Sequence, residues 1–160
     1  MPLMQRVPRW VPGALALLCC GSSLAAGVLK LSRTELTLSQ DKPASELWAE
    51  NVGDTPLYLD ITQQRVSNPG EWPERLVPVE DVPRPTLLVL PDRLVLSPGQ
   101  KYRMALKELV TPDQPQVWRV TFRPREHVVV DVDQEGGTTA PLFVSIGYGV
   151  VIYQLPDAKR

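Results

Sequence analysis

Residues 141 to 156 read PLFVSIGYGVVIYQLP, sixteen residues without a charge, close to the end of a 160-residue chain. Large apolar side chains stand on both alternation parities: Leu142, Val144, Ile146, Tyr148 and Val150 on one, Phe143, Val151 and Tyr153 on the other. A strand of an antiparallel sheet that borders solvent shows one polar face, so a strand apolar on both faces needs a second cover, from another sheet or from another protein. The plain alternative is a central strand buried inside its own fold.

Working outward from this segment, seventeen prolines and ten glycines cut the chain into short pieces. No window longer than about ten residues keeps a 3.6-residue apolar period, which is an all-β pattern. Residues 28 to 39 place Leu29 and Leu31 on one parity and Leu36 and Leu38 on the other. The phase slips near Arg33, and a one-residue slip turns the apolar face over, as at a bulge or where a strand changes sheets. Residues 44 to 52 and 57 to 66, joined by Gly53-Asp54-Thr55-Pro56, read as a hairpin with Leu57, Leu59 and Ile61 inward. The proline-rich stretch from Asn68 to Pro85 reads as a long irregular connection whose Trp72 folds back on the sheet edge.

Two short apolar pieces follow, Leu87 to Leu90 and Leu94 to Leu96, broken at Pro91-Asp92 and closed by the turn Ser97-Pro98-Gly99. Tyr102, Met104 and Leu106 alternate with Lys101, Arg103 and Lys107, and Trp118, Val120 and Phe122 alternate with Arg119, Thr121 and Arg123. These are strands with one buried face. Residues 124 to 140 read as a long loop in which Val128 to Val132 extends the flanking strands. Seven strands over about 130 residues, joined by Pro and Gly turns, fit a two-layer immunoglobulin-like β-sandwich in a single domain, without the cysteine pair of antibody domains.

The first 25 residues have the pattern of an export signal: Arg6 and Arg9, then the apolar run Val11 to Cys20, then the small residues Ser23 and Ala25. Cleavage after Ala25 leaves a domain over residues 26 to 160, soluble and exported, with no segment near the roughly 18 to 20 apolar residues of a membrane-spanning helix. Cys19 and Cys20 leave with the signal, so no disulfide forms in the mature chain. Two arginines also leave, so 15 basic residues face 18 acidic ones, a net charge of −3. There is no basic stripe to meet a nucleic-acid backbone.

Little in the sequence carries catalytic chemistry. His127 is the single histidine, and no HxxxH or CxxC pair begins a zinc site. Met104 occupies an inward strand position suited to a core rather than to copper. Asp131, Asp133 and Glu135 lie in a loop without an EF-hand pattern, and Gly147-Tyr148-Gly149 precedes no helix. A nucleophile elbow has no helix to carry it. The expectation is a non-enzyme without cofactor or metal.

The opening strand with Ser32-Arg33-Thr34, the turn Asn51 to Pro56, the Leu90-Pro91 to Pro98-Gly99 segment and the closing apolar strand, in that order and spacing, resemble the PapD-like periplasmic chaperones of pilus assembly. The resemblance covers residues 28 to 156 and only the first of that family's two immunoglobulin-like domains. It implies a periplasmic chaperone whose last strand completes the unfinished sheet of a pilus or fimbrial subunit, with an outer-membrane usher as a further partner. Leu142, Val144 and Ile146 fall on the alternating donor positions, continued by Tyr148 and Val150. Three such side chains removed from water contribute on the order of 5 to 9 kcal/mol before ordering costs. The resemblance also makes Arg33 the guanidinium that grips the subunit's terminal carboxylate.

Two departures stand out. The family's second anchor is a lysine, and its place falls near Val151 in a stretch that has no cation. The family's second domain would follow Pro156. The competing reading is a structural or adhesive immunoglobulin-like module of a surface fibre, in which the final strand pairs within its own fold.

Overall fold

A computed structural model describes residues 27–42, 45–125, 128–132, 140–144 and 146–157. The signal-like segment, His127 and the Gly136-Gly137 tip lie outside the described residues. Strands and one short 3-10 turn, Val79–Asp81, make up the regular structure.

The first strand changes sheets where its apolar phase slips. β1 (Leu29–Leu31) pairs antiparallel with β3 (Trp48–Asn51), whereas β2 (Glu35–Leu38) pairs parallel with β13 (Tyr148–Gln154). The slip allows Leu29 on one side, and Leu36 and Leu38 on the other, all to face the same core from opposite layers. A second crossing lies at Leu90-Pro91-Asp92. Before it, β6 (Leu87–Leu90) pairs with β9 (Ala105–Glu108), and after it β7 (Arg93–Leu96) pairs with β4 (Leu57–Val66).

β8 (Lys101–Arg103) pairs with β3, and only Met104 separates it from β9. One layer therefore runs β1, β3, β8 with β9, and β6. The other runs β2, β13, β10 (Gln116–Pro124), β4 and β5 (Leu76–Pro78), with β7 beside β5 on β4. Between the layers lies a single core that includes Leu57, Leu59 and Ile61 of β4 and the fully buried Trp118, Val120 and Phe122 of β10. Of the inward set Tyr102, Met104 and Leu106, Met104 joins the core and Leu106 packs against it, but Tyr102 is exposed, a correction to the expected one-face burial of that strand. This is the immunoglobulin-like sandwich expected from the strand pattern, with several strands cut in two by a change of sheet.

Three further expectations need correction. β3 and β4 form no hairpin: they lie in different layers, and residues 52 to 56 arch between them. A Gly-Asp-Thr-Pro turn and two one-face-apolar strands fit either connection, and the choice rests on Asn51. That side chain is fully buried and uses all its hydrogen-bonding capacity. Its Nδ2 donates to the carbonyls of Thr55 (2.7 Å) and Leu96 (3.0 Å), and its Oδ1 accepts from the amides of Gly53 (3.0 Å) and Val28 (3.3 Å). The arch, the first strand and β7 are tied to one point.

Trp72 does not fold onto the sheet, since it is 90% exposed. Its loop is ordered by Asn68, which accepts from the Arg75 amide (2.6 Å) and donates to the Pro73 carbonyl (3.0 Å). Glu74 then reaches Arg119 of β10, whose Nε and Nη2 donate to the two carboxylate oxygens at 3.0 and 2.5 Å. These hydrogen bonds hold the Glu74 carboxyl below its ordinary range and raise Arg119.

Finally, the charge-free segment is two strands. β12 (Ala140–Val144) pairs with β11 (Val128–Val132) in a separate ribbon, and β13 lies inside the sandwich between β10 and β2. Val150 and Ile152 are fully buried there, with Gln154 accepting from Trp118 Nε1 (3.2 Å) and from the Thr86 hydroxyl (2.7 Å).

Two outcomes follow. Asn51→Ala is expected to cost about 2 to 4 kcal/mol in denaturant unfolding, because it strands buried backbone groups at several places at once; a loss below about 0.5 kcal/mol would show that the arch holds itself. Glu74 contributes stability when ionised, so its contribution is present above the unfolded carboxylate pKa and fades as pH falls through the lowered folded value. Wild type is therefore expected to melt above Glu74→Gln at neutral pH, with the gap closing on acidification. Equal midpoints at pH 7 would contradict this.

Candidate functional site: an open strand edge ending at Arg33

The crossing between β1 and β2 is fixed on both sides. The Ser32 amide donates to the Trp48 carbonyl (3.0 Å), and the Trp48 amide donates to the Ser32 hydroxyl (2.9 Å). Two residues later, the Thr34 carbonyl accepts from the Val151 amide at 2.9 Å. Arg33 stands between a link to one layer and a link to the other. Its side chain is exposed and joins no hydrogen bond or ion pair among the described residues.

The pairing of β2 with β13 begins only at Val151, opposite Glu35. Val151 and Leu155 both donate toward this first strand, at 2.9 Å each, so alternate residues of β13 turn their backbone groups that way. Gly149 shares that direction and has no strand partner on this side among the described residues. Among the described residues β12 pairs with β11 alone. β12 and Gly149 each present N–H and C=O groups without a strand partner among the described residues, and at Gly149 the gap lies beside Arg33; an open backbone edge of this kind is a template for another strand.

The donor residues named from sequence fall into distinct environments. Leu142 and Val144 occupy alternate positions of β12, opposite Val130 and Val128. Ile146, between the two strands, is 55% exposed, and Tyr148 at the head of β13 is 37% exposed. Val150 is fully buried, so its side chain serves the core instead of a surface. Parity alone could not separate it from Tyr148, because both belong to one alternating set and only the extent of the opposite layer divides them.

Arg125, just past the end of β10, is held to β4 by backbone and ion-pair bonds. The Arg125 amide donates to the Tyr58 carbonyl (3.0 Å), and its guanidinium donates to both carboxylate oxygens of Asp60, at 2.9 and 2.6 Å. That pairing keeps the Asp60 carboxyl below its ordinary range. Neither residue had a signal in the sequence, since the pair spans 65 positions. At the position the resemblance assigns to a lysine, Val151 is half-buried between Glu35 and Arg119. Arg119 is the cation in that register, and Glu74 already engages it.

The described residues thus bring together unpaired backbone groups at Gly149 and an exposed guanidinium at Arg33. No helix among the described residues is long and apolar enough to cross a membrane.

No protein-family model matches the chain, and no curated protein matches it significantly. Solved structures do. A chain of the chaperone–tip adhesin complex of CFA/I fimbriae biogenesis superposes with a TM-score of 0.65 at 21% identity, over 83% of this chain and 58% of that one. The class 5 fimbriae chaperone CfaA gives 0.62 at 22% identity, with the same two coverages of 83% and 58%. A chain of the CsuC–CsuE chaperone–tip adhesion subunit complex, from archaic Csu pili of Acinetobacter baumannii, gives 0.58 at 14% identity, over 81% and 57%. The chain therefore spans well under two thirds of the length of these structures, and over that span it has the immunoglobulin-like fold of the PapD-like fimbrial chaperones.

Proposed function

We propose that this chain is a non-enzymatic periplasmic chaperone of fimbrial assembly, which captures an incomplete pilus subunit along the open edge of β12 and Gly149. The observation that carries this reading is the edge itself: apolar residues beside unpaired backbone groups, ending at an exposed arginine fixed between two layers. A subunit strand hydrogen-bonds to the edge, and side chains from Leu142, Val144 and Ile146 enter the groove left by its missing strand. Arg33 receives the subunit's terminal carboxylate as a bidentate partner. Residues 1 to 25 act as a cleaved export signal, and the mature domain begins at Ala26. Delivery of the captured subunit to an outer-membrane usher completes the role.

β13 argues for a narrower donor segment than the full charge-free run. From Val151 onward it is paired on both sides, and Val150 and Ile152 belong to the core, so in this reading Leu142 to Gly149 is the part offered to the subunit. The same internal pairing favours the second reading, a structural or adhesive module of a surface fibre. In that case no free subunit is bound and the edge pairs between successive fibre modules.

Coexpression with a fimbrial subunit separates the two. Ile146→Lys is expected to abolish copurification, because a charge would enter an apolar groove, and undiminished copurification would sink the donated-strand reading. Arg33→Ala is expected to weaken capture about 10- to 100-fold, the scale of one charged hydrogen-bonded pair, with an unchanged thermal midpoint. A large fall in that midpoint would make the arginine structural.

A further inference from the structure

The sandwich has a second strand edge, and one side chain closes it. β6 borders its layer, paired with β9 on one side only. The Thr86 carbonyl accepts from the Leu109 amide at 2.8 Å, so Thr86 and the even-numbered residues after it turn their backbone groups toward β9. Leu87 and Val89 turn theirs the other way, toward no strand among the described residues.

Gln63 occupies that place. It lies on the inward face of β4, in the opposite layer, and is only 7% exposed. Its Nε2 donates to the Leu87 carbonyl at 2.9 Å, and its Oε1 accepts from the Val89 amide at 2.9 Å. A primary carboxamide has the donor and acceptor of a peptide group. Here it takes the two middle groups of the β6 edge as one residue of an added strand would. A groove of about 710 Å3 runs beside the same edge, its apolar part formed by Ile61, Val79, Leu88 and Val89 and its polar part including Glu80 and Arg123. Without the carboxamide this site offers the two things a β-strand needs, unpaired backbone groups and apolar surface.

We infer that Gln63 is a specificity-determining residue that guards the β6 edge, so that strand addition is confined to the edge of β12. The confinement to β12 rests on the chaperone reading, whereas the guard role does not. A molecule that exposes one adhesive edge cannot afford two, because the second would pair copies of the chain with one another.

The test needs no partner. Gln63→Met keeps side-chain volume and removes both hydrogen bonds. Sedimentation of the full chain is expected to change from monomer to dimer or higher species at micromolar concentration, with the Val89 amide exchanging at least about tenfold faster. Adding Leu88→Lys, a half-buried position of β6 beside the groove, is expected to restore the monomer while leaving that exchange fast. A monomeric Gln63→Met protein overturns the proposal, whether Val89 exchanges fast or slowly; so does association that Leu88→Lys does not relieve. If Gln63→Met fails to fold, exchange in wild type decides: slow Val89 exchange, comparable to paired strands, supports the guard, and exchange as fast as in open loops overturns it. Loss of subunit capture in Ile146→Lys alters none of these readings, so failure of the guard and failure of the chaperone role remain distinguishable.

Discussion

Pairing between β2 and β13 starts at Val151, and the geometry of the proposed site depends on where it starts. A backbone edge left without a partner must meet water or another strand. Because the first strand spends Leu29–Leu31 in the other layer, it reaches β13 too late to cover Gly149. The crossing therefore does two things at once. It opens the edge, and it places Arg33 at the end of the opening, held by Trp48 on one side and Val151 on the other. An immunoglobulin-like sandwich whose first strand stayed in one layer would have neither feature.

Buried amides make this arrangement rigid. Asn51 ties the arch after β3 to the first strand and to β7, Gln63 spans the layers to β6, and Gln154 collects Trp118 and Thr86 at the far end of β13. Each lies where two layers separate and backbone groups would otherwise be buried without partners. They substitute for a disulfide, which the described core lacks. Fixing the layers also fixes the edge, because β13 is continuous with the core through Val150 and Ile152.

Much of the fold was legible from alternation. The inward set of β10 follows parity, as does that of β4 from Leu57 to Gln63 before Val66 is buried on the other parity, and the phase slip near Arg33 marked the change of sheet. Parity fails where the answer depends on residues distant in sequence. Whether β3 and β4 pair or face one another is decided by Asn51 meeting Leu96, and the loop that leaves Trp72 in solvent is set by Asn68 within it and by Glu74 bridging to Arg119 of β10. The candidate site was legible in outline, as a charge-free terminal segment and a lone arginine. Its internal division was not, since nothing local shows that the opposite layer covers Val150 and leaves Tyr148 at the rim.

The central claim is that the edge from β12 to Gly149 receives a partner strand. The most direct measurement is amide hydrogen exchange of the chain alone and in complex with a coexpressed fimbrial subunit. Capture is expected to slow the Gly149 amide and those of Ala140, Leu142, Phe143 and Val144 that face away from β11, with Val151, already bonded to Thr34, unchanged. A stable complex in which these amides exchange as in the free chain would contradict the account.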